Sequence, residues 1–361
     1  MKIEHVDVPL DNNSYTINIG DDIIDSKYLF PLLKKGDRVV LVTNNVVSDM
    51  WKNTIVHYLL QYRIIIDEFI LPDGEKYKNL HSVESLLSFL LKKKHDRNSI
   101  LISLGGGVIG DLTGFVASVY QRGIRFLQIP TTLLAQVDAS VGGKTGVNHV
   151  LGKNMIGSFW QPIGVIIDTI FLSTLSTRQL VSGFAEVIKY AISFDYEFFV
   201  WLEKNLVKLS VDSKKMLYCI KKCCQLKSKI VNLDEREKKS RMLLNFGHTY
   251  GHAIETHFRY STWSHGDAIA VGMIIASKTA EIIGLLKSTD TKRILKLIYM
   301  AGLPIMPPKN MYAQEYLKYM ERDKKNISGG ITLILPTSIG KVEIFNNIKK
   351  DVIVSSIQSF L

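Results

Sequence analysis

Short β-branched and aliphatic runs alternate with helix-period segments over the first half of the chain, and few folds satisfy that alternation. The runs are RVVLVT (38–43), IIIDEFIL (64–71), SILISL (99–104), FLQIP (126–130) and GVIIDT (164–169). Between the first three lie VVSDMWKNTIVHYLLQY and a second amphipathic stretch over 82–94, and IIIDEFIL closes at the turn Pro72-Asp73-Gly74. A strand that reaches its neighbour through a helix must cross over the sheet, so the pattern predicts parallel strands covered by helices. After about residue 178 the period changes. Apolar residues recur every three or four positions in GFAEVIKYAISFDYEFFVWLEKNL, MLYCIKKCCQLKSKIV and DAIAVGMIIASKTAEIIGLL, and strand signals nearly vanish until ITLILP at 331–336. The expected fold is therefore an α/β N-terminal domain with a Rossmann-like parallel sheet (1–178) and a mainly α-helical C-terminal domain (179–361). No Gly/Ser linker separates them, so the expected active site lies in the cleft between the two.

Composition narrows the class. With 46% hydrophobic and 22% charged residues the chain is a globular protein rather than a disordered one. Asp111 and Lys278 interrupt its most apolar stretches, so no run of about 18 residues suits a membrane span. The opening MKIEHVDVPLDN has no apolar secretory core, which makes the cytoplasm the expected compartment. Lys+Arg exceed Asp+Glu by 45 to 34, a net +11. The lysines are scattered as well as clustered and no nucleic-acid module accompanies them, so nucleic acid is not an expected partner, whereas an anionic small substrate would be favoured by the field. Cys219, Cys223 and Cys224 fall within six residues, which suits reduced thiols packed on a helix.

Three segments carry chemistry. Gly105-Gly106-Gly107-Val108-Ile109-Gly110-Asp111 sits where a strand hands over to a helix, as either a tight turn or a cradle for a phosphate or dinucleotide. No Asp or Glu follows between Leu112 and Val137 to hold a ribose, so that grip would come from Asn44 or the stretch Asp73 to Lys78. The second segment gathers Thr131, Thr132, Asp138, Lys144, Lys153 and Asn154 on glycine-rich backbone, a poor core and a plausible site. In the third, Arg241, Asn245, His248 and His252 share one face if the segment is a single helix. His248-x-x-x-His252 lacks the Glu of a zincin protease. With His265 and a carboxylate such as Glu186, whose neighbours are apolar, the histidines would form an open three-ligand metal site; the other reading of Glu186 is an exposed helical residue. Lys189 and Lys227 add cations. A dinucleotide cradle, a Lewis-acid metal and this charge suit a phosphorylated polyol or sugar acid.

These segments, together with LPDGEKYK, LGGGVIGDLTGFVASVYQRG, IPTTLLAQVDASVGGKTGVN, GKNMIGSFWQP, GFAEVIKY, LLNFGHTYGHAIE and HGDAIAVGM, resemble the 3-dehydroquinate synthases over almost the whole chain. The resemblance implies a cytoplasmic, homodimeric lyase of the shikimate pathway. It would convert 3-deoxy-D-arabino-heptulosonate 7-phosphate to 3-dehydroquinate and phosphate by transient NAD-dependent oxidation, phosphate elimination, reduction, ring opening and intramolecular aldol closure. The implied metal, Zn2+ or Co2+, falls to Glu186, His248 and His265. Implied NAD contacts fall on Asn44, Asp73, Gly74, Glu75, Lys76, Tyr77, Lys78, Gly106, Gly107, Val108, Ile109, Gly110, Asp111, Thr131, Thr132, Phe171, Leu172, Ser173 and Thr174, with Lys144 and Lys153 where cofactor and substrate meet. Implied substrate contacts are Asp138, Asn154, Lys189, Lys227, Arg241, Asn245 and His252, the last also a proton relay. Arg122 would reach a phosphate across the dimer interface, and Lys324 or Lys325 would close the site. Lys144, Lys189, Lys227, Arg241, Asn245 and His252 form the implied catalytic set. Asn44 stands where many members place an Asp, and Lys239 where they usually have Gly. The alternatives are another sugar phosphate cyclase, a metal-dependent polyol dehydrogenase, or a non-catalytic NAD- or anion-binding module, which would not need Glu186, His248 and His265 together.

Overall fold

A computed structural model describes residues 3–24, 32–209, 212–259, 262–321 and 331–360. The chain forms two compact units: Met1–Leu180 with Met216–Arg236, and Val181–Lys215 with Glu237–Leu361.

The first unit is built on a seven-stranded sheet. Its strands are β1 (Glu4–Val8), β2 (Tyr15–Gly20), β3 (Arg38–Asn44), β4 (Ile65–Leu71), β5 (Ile100–Gly105), β6 (Arg125–Pro130) and β9 (Gly164–Asp168), in the order β1-β2-β9-β6-β5-β3-β4. All neighbours from β2 to β4 are parallel. The strands at the centre are apolar on both faces, as a sheet covered on both sides requires. One face packs Val39, Leu41, Ile102 and Ile129 against Ile55 and Leu59; the other packs Val40, Val42, Leu101 and Phe126 against Leu86, Leu112 and Val116. The covering helices include α1 (Asn53–Gln61), α2 (Leu80–Lys92) and α3 (Gly107–Val119). From β3 the chain steps outward to β4, then returns past β3 to β5 and continues to β6. Strand order therefore reverses between β3 and β5, and ligands of open α/β sheets sit at the C-terminal ends of strands flanking such a switch.

Two features differ from the sequence expectation. The edge strand β1 runs antiparallel to β2, in register Val6↔Ile17. The polar segment 144–159 is a hairpin, β7 (Lys144–His149) paired with β8 (Gly152–Phe159). Its sequence KTGVNHVLGKNMIGSF has no sustained apolar alternation, so its pairing is invisible to pattern reading.

The second unit is mainly helical. After α4 (Thr177–Phe194) come α5 (Tyr196–Asn205), α6 (Ser213–Leu233, most of which belongs to the first unit), α7 (His248–His257), α8 (His265–Ile282), α9 (Ser288–Met300), α10 (Ala313–Met320) and α11 (Lys350–Gln358). A small hairpin, β10 (Leu333–Ser338) with β11 (Lys341–Phe345), adds its only sheet among the described residues. Helix α8 is buried nearly all round, from Ala268 to Ala280. At its crossing with α7, a Cβ on Gly272 would lie 2.1 Å from the Gly247 carbonyl oxygen, so the two backbones touch there. No helix among the described residues is long and apolar enough to cross a membrane.

Candidate active site

In the first unit, the residues singled out from sequence collect at the C-terminal ends of β3, β4, β5 and β6. Asn44 ends β3; its Oδ1 accepts from Val47 N (2.8 Å) and its Nδ2 donates to Asp73 Oδ1 (2.6 Å). Asp73 is held further by its own N–H, which donates to Asn45 Oδ1 at 2.9 Å. Lys78 is buried, and its Nζ donates to Asp111 Oδ2 and Asn154 Oδ1, both at 2.6 Å. Burial pushes the Asp111 carboxyl above its ordinary range while the Lys78 charge pulls it down. Asn148 Nδ2 donates to Glu75 Oε1 (2.8 Å), which ties the β7–β8 hairpin to the 73–78 turn. Gly106 caps α3 without a side-chain bond, so no side chain of the cap takes the first N–H groups of that helix. Thr131 and Thr132 follow β6, and Thr174 Oγ1 accepts from Trp51 Nε1 at 2.9 Å, with Phe171 against the same indole.

Lys227 is buried on α6. Its ammonium donates to both the carbonyl and Oδ1 of Asp138, at 2.6 and 2.7 Å. Lys144 and Asn154 are exposed, Lys153 is half-buried, and Arg122 is exposed at the end of a turn. The cysteines on α6 are free and buried, and burial pushes the Cys224 thiol up to about 12, so they act as packing groups.

The second unit holds the histidines. Residues 240–252 are not one helix: a 3-10 turn over Ser240–Asn245 ends at Phe246, and Gly247 (φ +77°) restarts the chain as α7. A left-handed residue cannot lie inside a helix, so Arg241 and Asn245 leave the face that carries His248 and His252. Glu186, on α4, is wholly buried rather than exposed, and its Oε1 lies 3.7 Å from His248 Nε2 and 3.5 Å from His265 Nε2. Those gaps are too long for hydrogen bonds. They match the edge of a tetrahedron of donors at about 2.0–2.1 Å from a shared ion, which is about 3.3 Å. Among the described residues, Glu186, His248 and His265 are the group whose donor atoms all come within 4.8 Å of one another. A buried carboxylate oxygen with no hydrogen-bond partner and two imidazole nitrogens aimed at it are three donors that fit a tetrahedral divalent cation with its fourth position free for substrate. Each ring is oriented from behind: His248 Nδ1 lies 3.1 Å from the Phe246 carbonyl oxygen, and His265 Nδ1 lies 3.2 Å from Glu255 Oε1.

Around this group, Lys189 is buried and paired with Glu186, and Arg241 is 1% exposed. Asn245 Nδ2 donates to Glu237 Oε1 at 3.1 Å. The His252 side chain is 44% exposed. Sequence reasoning missed two carboxylates. Glu255 follows His248 by seven positions on the same helix face, a signal available in HTYGHAIE; Glu237 lies in the charged run DEREKKSR, where nothing in the pattern separates it from its neighbours. Lys324 and Lys325 lie outside the described residues.

The architecture is shared with solved cyclases. A 2-epi-5-epi-valiolone synthase from Streptomyces hygroscopicus subsp. jinggangensis 5008, with NAD+ and Zn2+ bound, is 25% identical, with TM-score 0.90 and 98% of each chain covered. A 2-deoxy-scyllo-inosose synthase complexed with carbaglucose-6-phosphate, NAD+ and Co2+ is 26% identical, with TM-score 0.90, covering 99% of this chain and 100% of that one. Fold and site thus define a sugar phosphate cyclase. Family models for the 3-dehydroquinate synthase N-terminal and C-terminal regions match residues 68–182 and 183–326. A 3-dehydroquinate synthase from Buchnera aphidicola subsp. Baizongia pistaciae (strain Bp) is 52% identical over 353 residues, 98% of this chain and 99% of that protein. The chain belongs to the 3-dehydroquinate synthase family.

Proposed function

We propose that the chain converts 3-deoxy-D-arabino-heptulosonate 7-phosphate to 3-dehydroquinate and phosphate, a lyase step on the route to chorismate and the aromatic amino acids, with NAD and Zn2+ or Co2+ as cofactors. The observation that carries this is the Glu186–His248–His265 group, its carboxylate wholly buried, within a chain 52% identical to a 3-dehydroquinate synthase along 98% of its length. When bound, the nicotinamide takes up and returns a hydride and the divalent ion draws electron density from a substrate hydroxyl, so the oxidation is transient.

Glu186, His248 and His265 hold the metal. Asn44, the 73–78 turn, Gly106 to Asp111, Thr131, Thr132 and Phe171 to Thr174 would hold the dinucleotide, and the first N–H groups of α3 would favour the negative charge of its phosphates. Substrate falls to Asp138, Lys144, Lys153, Asn154, Lys189, Lys227, Arg241, Asn245 and His252. Lys189, Lys227 and Arg241 are buried cations, so water screens them little and they attract a carboxylate or phosphate strongly. They stabilise the negative charge that builds on the departing phosphate. Asp138 keeps Lys227 oriented through two bonds to its ammonium. His252, in reach of solvent, moves the proton that accompanies each change at the ring. Arg122 serves a phosphate in a homodimer, and the enzyme works in the cytoplasm; both readings rest on the family resemblance.

The test is phosphate release from the heptulosonate phosphate at substoichiometric NAD+, with absorbance of NADH followed beside it. Phosphate is expected to accumulate over many turnovers while NADH stays flat, and chelation is expected to stop the reaction. NADH rising in step with substrate loss would point to a polyol dehydrogenase instead.

A further inference from the structure

We propose that Glu255 is a positioning residue of the metal site: its carboxylate holds the proton of His265 on Nδ1 and turns Nε2 toward the ion. This deepens the metal reading above and rests on it. Glu255 lies on α7, seven residues after His248, and is 2% exposed. Its Oε1 lies 3.2 Å from His265 Nδ1, and the opposite nitrogen of the same ring lies 3.5 Å from Glu186 Oε1. A neutral imidazole carries one N–H; a carboxylate acceptor places it on the nitrogen it touches and leaves the lone pair on the other. The negative charge behind the ring also makes that lone pair a stronger donor to a cation.

The two histidine ligands are therefore not equivalent. His248 is oriented by a neutral backbone carbonyl, that of Phe246 at 3.1 Å, and His265 by a buried anion. The capping box of α8, in which Ser264 accepts from Asp267 N–H and Asp267 accepts from Ser264 N–H, fixes the backbone of His265 as the first helical residue. Backbone position is thus set locally, and ring rotation and proton placement are left to Glu255.

The experiment uses the full chain stripped of metal and compares wild type with Glu255→Gln and Glu255→Ala. Co2+ affinity is measured by competition with a chromophoric chelator, the visible absorption of bound Co2+ is recorded, and thermal unfolding is followed without metal. Glu255→Ala is expected to bind Co2+ about 10–100-fold more weakly, with an altered absorption band. Glu255→Gln keeps an oxygen acceptor for Nδ1 but loses the charge, so a smaller loss, above about threefold, is expected while its metal-free unfolding stays near wild type. If the alanine variant does not fold, the glutamine variant decides. Affinity and spectrum unchanged in Glu255→Gln, or lost stability of the metal-free protein with unchanged metal affinity, would overturn the proposal. A wild type that binds no stoichiometric Co2+ would overturn the metal reading itself, a result distinct from failure of the Glu255 role.

Discussion

Glu186 stands among Phe184, Ala185, Val187 and Ile188, all buried with it. A carboxylate so placed is strongly unfavourable unless a cation compensates it, and the ammonium of Lys189, paired with it, is one such cation. Its apolar neighbours made it conspicuous in the sequence for the same reason. Removal of one ligand leaves two donors, too few to hold a divalent ion against water. His265→Ala is accordingly expected to lose stoichiometric metal and to bring phosphate release to background, checked by elemental analysis alongside the assay; full metal occupancy in that variant would refute the ligand assignment.

At the scale of elements, the approach of α7 and α8 brings His248 and His265 to one carboxylate. Gly272→Ala would push a methyl group against the Gly247 carbonyl oxygen, 2.1 Å away, and against Gly251 N at 2.8 Å. Backbone cannot yield as a side chain can, so we expect destabilisation of about 1–3 kcal/mol or more, read from the urea midpoint, together with weaker metal binding. A second element-scale device joins the end of α2 to β4 and the start of β5. His95, with a wholly buried ring, contacts Ser99 Oγ and Asp67 Oδ2, each at 3.1 Å. Burial, and then the Arg38 charge, hold its basicity below the ordinary value, although Asp67 opposes them. With the folded value below the unfolded one of about 6.5, the unfolded chain binds more protons, so stability is full above that pH and falls as pH drops through and below it. The slope is at most about 1.4 kcal/mol per pH unit for this one proton. Urea unfolding at pH 7.5 and 5.5 should show the loss, and His95→Gln should flatten it; an equal slope in both proteins would exclude His95 as its source.

Over the whole molecule, the net charge of +11 favours encounter with a substrate that carries both a carboxylate and a phosphate. Raising salt from about 0.02 to 0.3 M shortens the screening length severalfold, so kcat/KM should fall while kcat holds nearly constant. A flat kcat/KM across that range would leave the lysines a role in solubility alone. Read alone, the residues already carry the alternation that makes a parallel sheet, the helical second half and the side-chain types that chemistry requires, because periodicity and composition are local properties. They leave open the β7–β8 hairpin, which lacks an apolar pattern, and whether Arg241 to His252 form a single helix, which Gly247 interrupts. Folding in three dimensions is what brings Glu186, His248 and His265 to one point, joins Asp111 to Asn154 through Lys78, and stands Glu255 behind His265. Each of those meetings joins residues far apart along the chain or depends on which way a side chain turns, and both are settled by packing rather than by spacing.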